Sequence, residues 1–146
     1  MSVGLQELDE QHKALFDLLN ELHEAINAKG SAKTCGAILD RLVDHTRIHF
    51  LMEESLMRLL NYPEFDAHKA QHGNLLGQVA KVQARLENDG FAVSFELLHF
   101  LKAWLVNHIH HRDQLFAAFA LARGVDAHWS IHVSKAMGST EIACPL

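Results

Sequence analysis

His49-Phe50-Leu51-Met52-Glu53-Glu54 is the stretch on which the reading of this chain turns. On an α-helix, a residue and the fourth one after it lie about 6 Å apart along the axis and about 40° apart around it. His49 and Glu53 therefore point the same way from consecutive turns. A neutral imidazole and a carboxylate on one face can hold a transition metal between them. Such pairs are also common on wet helix surfaces, so the weight falls on what the rest of the chain sets beside this one.

Working outward, the pair belongs to a helix expected over 33–60, capped by Ser31 or Thr34, with the stripe Ile38, Leu39, Leu42, Thr46, His49, Glu53, Met57 and Leu60. Before it, 9–28 reads as a helix with Asp9 as N-cap and Leu8, His12, Leu15, Leu19, Leu22 and Ile26 at steps of three and four. Tyr62-Pro63 breaks the second helix and opens a third over 64–87, carrying Phe65, His68, His72, Leu75, Leu76, Val79 and Leu86. Asn88-Asp89-Gly90 reads as a turn. A fourth helix over 92–121 carries Phe95, Leu98, Leu101, Trp104, Leu105, His108, Leu115 and Phe119. No segment reads as a strand. Four such helices with short links make an all-α, antiparallel up-down-up-down four-helix bundle over residues 1–122, followed by a short C-terminal extension over 123–146.

Short links also fix heights. His12, His49, Glu53, His68, His72 and His108 all fall within roughly 5–18 Å of the same end of the bundle at a rise of about 1.5 Å per residue. Each helix thus delivers a potential ligand, on its apolar stripe, to one layer. Imidazoles buried together without partners are costly. Five of them with few carboxylates suggest two metals rather than one, bridged by acids, one metal keeping a vacancy for a small ligand. Glu53 supplies one bridge. Spacing leaves the second open: Asp113 lies about 140° around from His108 on an ideal helix, and periodicity favours His111 instead. Asp113 would serve if the helix widened locally, as π-bulges do.

The chain has 146 residues, 13 basic and 18 acidic for a net charge of −5, and 12 histidines. That balance, with no basic run, argues against nucleic-acid and anionic-membrane partners. No apolar stretch is long enough to span a membrane, and the first residues do not read as a signal peptide. Cys35 and Cys144 form no disulfide framework, which suits a reducing cytoplasm. Of the remaining histidines, His45 shares a stripe with His49, but Thr46 fits the core face better. Glu96-Leu97-Leu98-His99 matches the Glu-x-x-His of ferritin-like proteins once, off the main stripe, and is read as chance. His23 is left without a role, His110 and His111 read as solvated, and His128 and His132 as an i,i+4 pair able to take stray metal.

Taken together, Asp9-Glu10-Gln11-His12, His49 to Glu54 with Met57, Tyr62-Pro63 with His68-Lys69-Ala70-Gln71-His72, and Trp104 to Ile109 with Asp113 resemble the hemerythrins, the bacterial ones in particular. The resemblance implies two iron ions in a non-haem di-iron centre with a bridging oxo or hydroxo group, binding O2 reversibly. His68, His72 and His108 would hold the filled iron, His12 and His49 the open one, and Glu53 and Asp113 would bridge. Trp104 and Leu105 would form an apolar wall around the O2 position, with Leu15, Phe16 and Phe50 as weaker candidates. An oxygen carrier, store or sensor is the leading expectation, and no enzyme. The alternatives are a di-iron oxidase or peroxidase and a module responsive to iron or nitric oxide. The partner expected is O2, with the chain a monomer or homo-oligomer, or a signalling domain if cut from a larger protein. Bacterial members usually carry an N-terminal arm with a tryptophan, whereas this chain starts at Ser2-Val3-Gly4. Val125, Trp129, Val133 and Met137 are expected to pack a tail in that place or to join two chains.

Overall fold

The computed structural model describes residues 2–89 and 95–129, with 86–89 as backbone alone. The helices are α1 (Gln6–Asn27), α2 (Ala32–Leu59), α3 (Phe65–Asp89), α4 (Phe95–His108) and α5 (Gln114–Ala122), with a π-helical turn, Ile109–Asp113, joining the last two into one rod. α1 packs on α2 and α4, and α2 packs on α3, giving the expected four-helix bundle.

The stripes explain the burial. On α2, the expected apolar positions are all inward, and Ser31 caps the helix by accepting from the backbone N–H of Thr34. The start of α1 differs from expectation. Its N-cap is Leu5, and the Asp9 carboxylate accepts from the Ser2 hydroxyl and the Val3 N–H instead. Gly4, at φ +94°, makes the turn that brings Ser2 and Val3 back over Asp9, a conformation natural to glycine. With no side-chain cap there, the Gln6 N–H donates to the carbonyl of Ala127, 2.8 Å away. The beginning of the C-terminal extension thus closes the first turn of α1. Val125 is buried, and Trp129 packs on the apolar cluster that contains Leu5 and Leu8. Val133 and Met137 lie outside the described residues. Asn88 and Asp89 belong to α3 rather than to a turn, and Gly90 lies outside the described residues.

The fourth rod departs most from its periodicity. Leu115, seven residues after His108, would return to the same face of an unbroken α-helix. It is 60% exposed, and Phe116, Ala117 and Ala120 are fully buried in its stead. The π turn takes up one extra residue, so everything beyond it is rotated by about 100° relative to an α-helical count. Phe95, also placed on the stripe, is 42% exposed and meets His23 edge to face. Phe116→Ala is expected to destabilise the protein by about 3–5 kcal/mol, and Leu115→Glu by no more than about 0.5 kcal/mol, in chemical denaturation. The reverse order would mean the rod has no π turn.

Two apolar clusters result. One holds Leu15, Leu19, Leu42, Leu75, Leu98 and Leu105; the other holds Leu8, Leu56, Met57, Tyr62 and Phe116. Between them, on every rod, lies the layer of histidines and carboxylates.

Candidate metal centre

His12 comes from α1, His49 and Glu53 from α2, His68 and His72 from α3, His108 from the end of α4, and Asp113 from the end of the π turn. All seven are buried. Their ligand atoms fall into two groups: Glu53, His68, His72, His108 and Asp113 in one, and His12, His49, Glu53 and Asp113 in the other. Both carboxylates belong to both groups, and they divide by atom. Glu53 Oε1 lies 2.6 Å from His68 Nε2 and 3.6 Å from His72 Nε2, whereas Oε2 lies 3.3 Å from His49 Nε2. Asp113 Oδ1 lies 3.0 Å from His68 Nε2 and 3.2 Å from His108 Nε2, whereas Oδ2 lies 3.0 Å from His12 Nε2.

The Nε2 atoms of His12 and His68 and all four carboxylate oxygens nonetheless have no hydrogen-bond partner. Short approach without hydrogen-bond direction is what results when lone pairs aim at a shared point between them. Buried polar atoms are otherwise almost always satisfied. The donor set, imidazole nitrogen with bridging carboxylate, suits a pair of first-row transition metals such as iron.

The π turn is what admits Asp113. It widens the rod so that a residue five after His108 shares its face, and Asp113 is fully buried. His111, the position that α-helical spacing favours, is exposed, as are His45, His99 and His110. Glu96 is exposed too, so the Glu-x-x-His match is incidental. His128 is exposed, and His132 lies outside the described residues. Trp104 is stacked on His108, with ring centroids 4.5 Å apart, and so flanks the three-histidine group. Leu105 lines an apolar cavity of about 30 Å³ together with Leu15, Thr46 and Leu75. Phe50 stacks on His72 at 3.7 Å and lies 5.8 Å from His49, touching both groups.

Sequence reading missed the residues that hold the imidazoles from behind. His49 Nδ1 meets Gln11 Oε1 at 2.6 Å, His72 Nδ1 meets Glu54 Oε2 at 2.8 Å, and His108 Nδ1 meets Gln71 at 3.0 Å. The signal was present: Gln11, Glu54 and Gln71 each adjoin His12, Glu53 or His72 in sequence, and one step turns a side chain about 100° toward the neighbouring helix.

Electrostatics separate the imidazoles. Burial works against a proton on His68, but Asp113 and Glu53 outweigh it and raise its pKa to about 9. His49 is raised as well: burial opposes it, and Glu53 prevails. Burial, followed by the neighbouring His108 and His68, lowers His72 to about 2. Burial pushes Asp113 up, yet His108, His12 and His68 hold it well below the usual carboxylate range. Metals bind neutral imidazole, so below pH 9 loading must expel the His68 proton. Metal titration of the metal-free chain in weak buffer should release about one proton from His68 at pH 7, with any further protons from His49. The release from His68 should fade, and apparent affinity level off, as pH rises through about 9. Release that is flat with pH would contradict the ion pairs of His68.

Fold and site together define a metal-binding four-helix bundle with a histidine-rich, carboxylate-bridged pair of donor sets. The Hemerythrin HHE cation binding domain matches residues 3–120. A bacteriohemerythrin of Methylococcus capsulatus is 39% identical over 108 residues, covering 74% of this chain and 82% of that protein. A myohemerythrin of Theromyzon tessulatum is 32% identical over 111 residues, 76% of this chain and 81% of that protein. A crystal structure of wild-type hemerythrin superposes with a TM-score of 0.75 at 36% identity, covering 80% of this chain and 88% of that one. The chain belongs to the hemerythrin family.

Proposed function

We propose that this chain binds O2 reversibly at a buried non-haem di-iron centre, as a carrier, store or sensor. The observation that carries the proposal is the division of Glu53 and Asp113 between two donor groups, one oxygen of each facing each group. His68, His72 and His108 would hold one iron, His12 and His49 the other, and the two carboxylates both. Two ferrous ions there would supply the electrons on which reversible O2 binding draws. The His12–His49 group offers one imidazole fewer, which leaves its metal room for a small ligand. Trp104 covers the outer face of His108, and Leu105 and Phe50 give the layer apolar walls that keep water from it. The small cavity beside Leu15 and Leu105 is apolar and has room for one water-sized guest.

Five imidazoles against two carboxylates favour this reading over a di-iron oxidase, whose high-valent iron is better stabilised by hard oxygen donors. Among the described residues no helix is long and apolar enough to cross a membrane. A cytoplasmic location suits the buried free thiol of Cys35. Reconstitution with ferrous iron without air, then exposure to O2, should give an absorption band that vanishes on degassing and returns with O2. Irreversible bleaching with substrate turnover would instead assign an oxidase.

We take 1–122 as the metal-binding unit and 123–146 as an extension whose first residues secure α1. Deleting 125–146 removes the carbonyl that pairs with the Gln6 N–H and the burial of Val125. The thermal midpoint should fall by about 4–8 °C, from a loss of about 2 kcal/mol. An unchanged midpoint would leave the extension without this role.

A further inference from the structure

Two of the imidazoles are held from behind by glutamines, and the groups behind the glutamines carry opposite charge. Gln11 Nε2 donates to Glu7 Oε1 at 3.1 Å while Gln11 Oε1 faces His49 Nδ1. Gln71 stands between His108 and Arg112. We propose that Glu7 and Arg112 are positioning residues that set the tautomers of His49 and His108 through these amides, and so bias the two metal positions in opposite directions. The inference rests on His49 and His108 serving different metals, as assigned above.

What each group can donate or accept decides how the two amides turn. A carboxylate offers acceptors only, so Glu7 keeps the Gln11 NH2 turned toward itself. The Gln11 oxygen must then face His49, which places the proton on Nδ1 and leaves the Nε2 lone pair free for a metal. Turning the amide would set two oxygens against each other at the Glu7 end. Glu7 is 4% exposed, so water offers little relief.

A guanidinium offers donors only. With the Gln71 oxygen toward Arg112, the amide accepts from Nε at 2.9 Å and from an NH2 group at 3.3 Å, and its nitrogen donates to His108 Nδ1 at 3.0 Å. That setting satisfies each group but moves the His108 proton to Nε2, the atom a metal needs. For His108 to ligate, the amide must turn its oxygen inward and Arg112 must give up its acceptor. Arg112 lines an open cleft with Asn74, Trp104, Asn107 and His111, so it has somewhere to go. Glu7 thus prepares its imidazole for metal, and Arg112 holds its imidazole against metal.

Zinc is a suitable probe because it does not change oxidation state. The metal-stripped full chain would be titrated with zinc in competition with a chelator. Glu7→Gln should weaken one of two zinc ions by about tenfold and leave the other unchanged. Arg112→Leu should strengthen the other ion by about tenfold and leave the first unchanged. In a Gln11→Glu background, a carboxylate accepts from His49 in either setting, so Glu7→Gln should no longer weaken binding. A merely structural role for Glu7 would persist in that background, and would overturn the inference. So would shifts of the same sign in both variants, or no shift in either. Uptake of fewer than two zinc ions by the unaltered chain would be a different failure. It would remove the paired-site reading and take this inference with it.

Discussion

Asp113→Ala is expected to strip the chain of both metals, whereas His111→Ala should leave metal content unchanged. Asp113 supplies an oxygen to each donor group, at 3.0–3.2 Å from three imidazole nitrogens, so its loss opens both positions at once. Loss of one ligand from one group would affect one ion; loss of a carboxylate shared by both groups would remove counter-charge that two cations close together in an apolar bundle would need. His111 is the residue that α-helical spacing sets on the face of His108, yet it is exposed. Iron analysis of the two purified variants, reconstituted side by side, reads the difference directly. Metal loss on His111→Ala with retention on Asp113→Ala would mean that the rod is α-helical throughout and that the bridge is misassigned. His108→Ala belongs to the same test: it should lower iron content, while His110→Ala should not.

Removing the metals should lower the thermal midpoint by about 15–30 °C. Each ion bound about a thousandfold above its dissociation constant stabilises the folded chain by about 4 kcal/mol, and about 2–4 °C follows from each kcal/mol in a domain of this size. The physical source is visible in the layer itself. Without metal, His12 Nε2 and both oxygens of Glu53 and Asp113 are buried without hydrogen-bond geometry, and the two carboxylates are offset chiefly by the proton held on His68. Calorimetric scans before and after chelation, with zinc as well as iron restored, would measure this. A midpoint indifferent to metal would show that the apolar clusters on either side carry the bundle unaided.

Much of this was legible in the chain. The stripes of α1 and α2, and that of α3 as far as Val79, name their buried faces because helical period and apolar content agree over several turns, while the side chain of Leu86 lies outside the described residues. All five imidazoles of the layer were chosen from position alone, since a ligand on an apolar stripe has nowhere to point but inward. Spacing marks Asp9 as a cap, but a cap depends on where the preceding chain turns, and Gly4 turns it so that the carboxylate meets Ser2 and Val3. Periodicity places Leu115 in the core and the structure does not, for a related reason: one added residue in the π turn, invisible to a count of 3.6, rotates all that follows.

The sequence by itself therefore determined the bundle, its apolar faces and the height at which the histidines gather. Those follow from local periodicity and link length, which the order of residues specifies. Only the tertiary structure decided that Asp113 and not His111 faces inward, which oxygen serves which group, and that Gln11, Glu54 and Gln71 stand behind the imidazoles. Such facts depend on how one rod is rotated against the next. That rotation is set by packing between helices and by one widened turn, and no pattern along a single helix contains it.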